Sequence, residues 1–263
     1  MTRAAVSLSI VSHGQAALVQ SLLNDLQAHC GATSLEVLLT VNIPEDLPAS
    51  LAQLNFPVTV IHNASPLGFG ENHNRAFRQA QAGFFCIINP DVRMDSDVFP
   101  VLLASLNASS VGVAAPLVVT GGGMIEDSAR RFPTPLKILC KVFGRCAGGD
   151  YLIGLAPIYP DWVGGMFMLF RRDVYRQMGG FNEKFFLYYE DVDLCARIWL
   201  KGMRVALIPQ ARVMHEARRS SHENATYLQV HIRSMMQFFL SATFCKVMYL
   251  RLVRSLSPVR ETL

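Results

Sequence analysis

Glu190, Asp191 and Asp193 put three carboxylates into four positions, directly after the aromatic run FFLYY at 185–189. Two chemistries are open to such a cluster. At a helix start, acidic side chains meet the positive end of the macrodipole, and Asp193 and Arg197 are spaced i, i+4 for an ion pair. In a pocket walled by aromatic rings, a carboxylate loses solvent, its pKa rises, and it can accept a proton beside a surface that stacks a sugar. Helix capping explains the acids but leaves the rings of Phe185, Phe186, Tyr188 and Tyr189 without a role. Asp91 closes INPDV (88–92), where Pro90 holds Asn89 extended and the chain then turns. A hard divalent cation takes one or two such carboxylates together with substrate phosphates, although Asn-Pro-Asp is also an ordinary turn starter. In NASPLGFGENHNRAF (63–77), Gly68 and Gly70 lead into a helix starting near Glu71. A glycine-rich turn at a helix N-terminus receives phosphate, or simply allows close packing. It is not a GxGxxG turn, because position 73 is His.

These groups need a scaffold, and the first half supplies a regular one. AVSLSIVS (5–12), LEVLLTVN (35–42), VTVIHN (58–63), FFCIINPD (84–91) and VGVAAPLVV (111–119) read as strands. Helical patterns lie between them, at GQAALVQSLLNDLQAHC (14–30) and ENHNRAFRQAQ (71–81). Strands alternating with helices predict an α/β fold with a mainly parallel sheet covered on both faces, and ligands beyond the carboxyl ends of the strands. Those ends carry Ser12, His13, Asn42, Asn63 and Asp91. Residues 120–160, rich in Gly and basic residues, break the rhythm and suit a mobile loop or an ordinary surface connection. WVGGMFMLFRR (162–172) resumes as a strand whose glycine pair lets something approach the backbone. RVALIP and RVMHE (204–216) read as two short strands, with a helix between them and the aromatics, from Glu190 to a stop at Gly202.

The chain has 263 residues, 51% of them apolar, a mean hydropathy of +0.27 and a net charge of +4. That charge is too mild for a nucleic-acid footprint. Six cysteines without a CxxC pair suit buried thiols in a reducing compartment, and the protein is expected in the cytoplasm. From Thr226 the character changes: five basic residues stand against one acid, Glu261. Its longest uncharged stretch, Ser234 to Cys245, is shorter than the ~20 apolar residues a bilayer span needs. An amphipathic helix on the inner face of an anionic membrane fits this tail, as does a helix packed on the protein's own core or on a second copy. The expected organisation is a domain over 1–225 followed by a helical tail over 226–263.

GGMFMLFRRDVYRQMGGFNEKFFLYYEDVDLCARIWLKGMRVALIPQARVMHEARRSS resembles the second half of inverting, GT-A fold, family-2 glycosyltransferases of bacterial rhamnosyltransferase-like character. SIVSHG, GFGENHNRAF and INPDV are similar to the first half, so the likeness covers most of residues 5–221 in order. It implies a GT-A (Rossmann-like) sheet flanked by helices and transfer of a sugar, rhamnose from a dTDP donor by analogy, to a glycan or lipid-linked acceptor. Asp191 would be the catalytic base, with Glu190 beside it. Asp91 would hold a divalent cation, Mg²⁺ or Mn²⁺, which His215 also approaches. Ser12, His13, Asn42, Gly68, Asn89, Asp91, Arg218, Arg219 and Ser220 would meet the nucleotide-sugar donor, and Trp162, Gly164, Gly165 and Tyr189 the acceptor. Two departures stand out. Asn42 occupies the place of an Asp that contacts the base, and Asn89 that of a first metal-binding carboxylate. They keep a second reading open, a catalytically silent nucleotide-sugar binder in a membrane assembly, alone or as a homo-oligomer. A nicotinamide-dependent dehydrogenase is disfavoured, because SHGQAAL after the first strand offers a single glycine.

Overall fold

Aliphatic runs that are buried on both faces form the centre of the molecule, as a sheet sandwiched by helices requires. A computed structural model of the chain describes residues 4–47, 49–142, 149–215 and 225–256. Its strands are β1 (Val6–Ser12), β2 (Leu35–Val41), β3 (Val58–His62), β4 (Phe84–Ile88), β5 (Val92–Arg93), β6 (Val111–Val119), β7 (Ala129–Arg130), β8 (Trp162–Val163), β9 (Phe167–Arg171) and β10 (Arg204–His215). Eight of them make one sheet in the order β3-β2-β1-β4-β9-β6-β10-β5, while β7 and β8 pair by themselves. β3, β2, β1 and β4 run parallel, as do β6 and β10. β9 enters antiparallel between β4 and β6, which the alternation of strands and helices does not announce.

Helices cover both faces. α1 (Ala16–His29) and α3 (Phe99–Leu106) bury Leu22, Leu26, Phe99 and Leu102 against Val37, Leu39, Cys86 and Ile88. On the other face, α2 (Phe69–Phe77), α5 (Arg172–Met178) and α6 (Glu190–Leu200) pack Ala76, Tyr175, Leu194 and Ile198 against Leu38, Phe85 and Ile87. Consecutive residues of one strand thus serve opposite cores, the period of two that a pleated strand imposes.

Several elements differ from the expectation. α2 begins two residues earlier than Glu71 and ends at Phe77. Positions 120–160 hold β7 and an amphipathic helix, α4 (Pro135–Val142). RVALIP and RVMHE are one strand, β10, with a register shift between Ile208 and Arg212. Pro209 lies inside that shift, where a residue without an N–H is tolerated in a ladder. The tail is two helices, α7 (Ala225–Phe239) and α8 (Ala242–Leu256), bent by 55°. Phe238 and Val247 are fully buried in the same core as α6, so the tail's inner face packs on the body of the protein. Among the described residues no single helix is long and apolar enough to cross a membrane.

Strand direction builds the site. Because β9 runs against β4, Phe167 pairs with Ile88, and the glycine pair that precedes it lands at the carboxyl end of the parallel strands. Asn89 N–H donates to Met166 O at 2.9 Å and locks that arrangement. β5 folds back to pair Val92 with His215, which sets Asp91 beside the end of β10.

Candidate active site

A cleft of about 580 Å³ opens beyond these strand ends, and Asn89, Trp162, Gly164, Gly165, Tyr189, Glu190, Asp191 and His215 all line it. Asp191 stands in the first turn of α6. Its Oδ2 accepts the Gly165 N–H at 3.0 Å and its Oδ1 the Val192 N–H at 2.8 Å. A Cβ on Gly165 would stand 3.3 Å from the Phe69 ring and 3.6 Å from Asp191 Cβ, so the glycine admits this close approach. Burial raises the pKa of Asp191, against the pull of those N–H groups and of Arg130. A carboxylate so placed is a held, partly desolvated proton acceptor. Glu190 beside it is buried, and its pKa is pushed well above the ordinary 4.5, first by burial and then by the charge of Asp191. Asp191 accepts two N–H bonds while Glu190 Oε2 has no partner among the described residues, which favours the charge on Asp191 and the proton on Glu190. Asp193 fulfils the other expectation: it pairs with Arg197 at 2.8 Å, and Arg197 also donates to the carbonyls of Met178 and Gly180, which ties α6 to the end of α5.

The turn into α6 is strained. Tyr188 and Tyr189 have φ of 68° and 69°, and they alone among the described non-glycine residues are left-handed. Each such residue costs of order 1–3 kcal/mol and persists only where its surroundings enforce it. Here α7 supplies the enforcement. The Ser234 hydroxyl donates to Leu187 O at 2.7 Å, the His231 ring lies against both tyrosines, and Tyr189 packs on Phe238.

At the other end of the cleft, His215 bridges two acids, with Nε2 3.3 Å from Asp91 Oδ1 and Nδ1 3.0 Å from Glu126 Oε2. Burial works against its protonation, but the two carboxylates prevail and raise its pKa to about 9. Asp91 Oδ1 is buried and, among the described residues, accepts no hydrogen bond. Two donors in adjacent positions of an octahedral ion, each about 2.1 Å from it, stand about 3 Å apart. The spacing of Asp91 and His215 fits a divalent cation, which would take the place of the Nε2 proton. Among the described residues no three acidic, His or Cys side chains are grouped to hold a metal, and an ion on Asp91 and His215 would take further ligands from water or substrate oxygens.

Other expected residues gather outside the cleft lining. Ser12, His13 and Asn42 sit at the ends of β1 and β2. The Asn42 amide donates to His13 Nδ1 and Leu67 O, and its carbonyl accepts from Asn63 Nδ2 and Leu67 N–H. Its four sites are thus spent on organising the loop before α2. Gly68 follows that loop; a Cβ there would reach 2.7 Å from Phe186 O, and next to it the Phe69 N–H donates to the same carbonyl. Arg218, Arg219 and Ser220 lie outside the described residues. The cleft is also lined by Arg130, Arg131, Lys137 and His231, and Glu126 holds His215. None of these five was singled out from the sequence. Four come from the Gly-rich, basic stretch at 120–160, where basic composition was the available signal.

Comparison with known proteins agrees with this geometry. The profile of glycosyl transferase family 2 matches residues 16–179, more than half of the chain, and that of a glycosyltransferase-like family 2 matches residues 160–237. An N-acetylglucosaminyl-diphospho-decaprenol L-rhamnosyltransferase of Mycobacterium tuberculosis is 28% identical, over 77% of this chain and 73% of its own. The rhamnosyltransferase WbbL of Escherichia coli K12 is 25% identical, over 91% of each chain. Among solved structures, the mannosyltransferase PcManGT from Pyrobaculum calidifontis, in complex with GDP-Man and Mn²⁺, superposes with a TM-score of 0.62 at 16% identity. That match covers 90% of this chain and 65% of that one, and it shows the shared GT-A fold. The chain belongs to glycosyl transferase family 2 and is a glycosyltransferase.

Proposed function

We propose that the protein moves a sugar from a nucleoside-diphosphate donor to the hydroxyl of a lipid-linked or glycan acceptor, with inversion, in the assembly of a cell-surface polysaccharide. The observation that carries this reading is a largely buried carboxylate, Asp191, fixed by two N–H groups in the cleft that His215 also lines, with Asp91 behind His215 at 3.3 Å. The rhamnosyltransferase relatives support L-rhamnose as the sugar, and the mycobacterial one supports a lipid diphosphate as the acceptor's carrier.

In this reading Asp191 takes the proton of the acceptor hydroxyl as it attacks the anomeric carbon, on the face opposite the departing diphosphate. General-base help of this kind is worth roughly 10²–10⁴-fold. The anomeric centre gains oxocarbenium character as the bond to the diphosphate breaks. Asp91 and His215 would hold Mg²⁺ or Mn²⁺, which when bound offsets the charge growing on the leaving group. Gly165 orients the base, and Glu190, kept protonated, leaves Asp191 as the ionised member of the pair. Tyr188, Tyr189 and Phe69 wall the cleft and limit water, which would otherwise consume the donor.

Asp191→Asn is the test. With a panel of nucleotide sugars and Mn²⁺, release of nucleoside diphosphate should fall by at least about a hundredfold while donor affinity stays within about twofold. Turnover at the wild-type rate would remove Asp191 from the mechanism. No release by the wild-type protein with any donor would favour the silent binder instead.

We also infer that the outer faces of α4, α7 and α8 rest on an anionic membrane surface, the cytoplasmic leaflet, with the cleft opening between α4 and α7. Ile138 and Lys137 of α4, and His231 and Met235 of α7, line that cleft, while leucines, isoleucine and tyrosines of the same helices face outward.

A further inference from the structure

Three cations converge on the wall of the cleft remote from His215. Arg130 lies over the Trp162 ring, 5.6 Å from its centroid, with Nε 3.0 Å from the Asp127 carboxylate and donating to the Asp127 carbonyl at 2.8 Å. Arg131 stands 5.8 Å over the Tyr151 ring, and its backbone N–H donates to Asp150 at 2.9 Å. Lys137 Nζ, from α4, pairs with that same Asp150. Each cation is thus held by a ring or a carboxylate, yet all three line open space. Among the described residues no carboxylate pairs with the Arg131 guanidinium. Three cations against two tethering acids leave this wall positive.

Its position relative to Asp191 follows from the backbone. Glu126 touches His215; two residues on, Ser128 O accepts the Gly164 N–H at 2.9 Å; the next glycine, Gly165, binds Asp191. Arg130 then pairs with Trp162 across β7 and β8, and Arg131 and Lys137 lie beyond. Along this one segment Asp191 comes between the Asp91–His215 end and the basic wall. An anion on the basic wall is therefore a different group from a diphosphate leaving at Asp91. Two planar guanidinium forks and an ammonium within one short segment suit several phosphate oxygens at once, and a single carboxylate would use them poorly.

We propose that Arg130, Arg131 and Lys137 form a second diphosphate subsite, which holds the acceptor by the diphosphate on its reducing end while Asp191 faces one of its hydroxyls. The identity of the ligand as an acceptor rests on the transfer reading above; the existence of the subsite does not. In that arrangement the acceptor sugar spans the gap between the basic wall and the base, and its lipid chain leaves between α4 and α7.

Binding is tested first with inorganic pyrophosphate in EDTA, followed by the fluorescence of Trp162 against which Arg130 lies. The wild type should bind. Arg131→Ala with Lys137→Ala should weaken binding by at least about tenfold. Arg131→Lys with Lys137→Arg should retain most of it, and Asp91→Asn should leave it within about twofold. Absence of binding, or loss in Asp91→Asn with none in the double alanine variant, overturns the subsite. Kinetics then assign the ligand. With a short prenyl-diphosphate-linked sugar as acceptor, the double alanine variant should raise acceptor KM by at least about tenfold and leave donor KM unchanged. With the alkyl glycoside of the same sugar, wild type and variant should share one acceptor KM. A rise in donor KM would give the subsite to the donor and overturn the assignment. Failure of every donor and acceptor with the wild type would count against the transfer reading, and the pyrophosphate titration would still decide the subsite.

Discussion

Glu190 is the residue whose environment most constrains its charge. It is 4% exposed, its Oε2 has no hydrogen-bond partner among the described residues, and an acid adjoins it. Its folded pKa lies above the unfolded value, so it stabilises the fold fully below pH about 4.5, where both states carry the proton. As pH rises through that value toward the folded pKa, the unfolded chain ionises first and this stability is lost, at up to about 1.4 kcal/mol per pH unit. Glu190→Gln removes the titration and keeps the shape. Its melting temperature should gain on the wild type steadily between pH 4.5 and 7.5, and a constant difference over that range would show that Glu190 does not bind its proton more tightly when folded. The acids were legible in the sequence because each closes a local pattern, a strand end or a helix start, whereas His215 came forward only through the family resemblance. Arg130 and Arg131 were not legible, because nothing local separates a cation in a cleft from one in solvent. His231 shares its helix face with Ser234, Met235 and Phe238, and in a helix apolar on several sides nothing local marks that face as the one turned inward.

Among the elements, α7 has the least obvious duty. Its inner face holds a turn that would relax on its own, since two consecutive left-handed tyrosines are costly without support. The Ser234 hydroxyl is a single hydrogen bond, but removing it leaves the Leu187 carbonyl without its donor, at about 1–3 kcal/mol. Ser234→Ala should speed amide exchange across 187–191 and lower kcat several-fold while donor KM stays put. Equal exchange and equal kcat would mean that the aromatic packing of His231 and Phe238 suffices. Strand and helix types were readable for the first half, where buried runs alternate with amphipathic ones. Two features were hidden by the same cause, that pairing is tertiary: β9 reverses direction with nothing local to mark it, and Pro209 made one strand look like two.

For the whole molecule, the tail answers a question of composition. An apolar, basic segment needed somewhere to bury, and only part of it does so inside the protein. Leu228, Ile232, Met236 and Leu240 repeat every four residues along α7 and its end and are 50, 47, 49 and 80% exposed. Leu136 and Leu139 of α4, and Tyr249 and Leu252 of α8, add to them. Between Glu223 and Glu261 the chain has no acid, while Arg233, Lys246 and Arg254 are exposed. Exposed apolar side chains with exposed cations among them are what an interfacial helix presents to anionic lipid, gaining from burial and from charge together. Truncation is the wrong probe, because Phe238 and Val247 belong to the core and their loss would unfold α6's surroundings. Leu228, Ile232 and Met236 exchanged together for Ser should leave the melting temperature within a few degrees, as exposed positions do. Sedimentation with phosphatidylglycerol vesicles should fall several-fold in that variant, and wild-type binding should weaken as salt shortens the Debye length. Binding that is equal in wild type and variant would sink the proposal, and a wild-type mass that doubles with concentration in the absence of vesicles would give this face to a second copy instead.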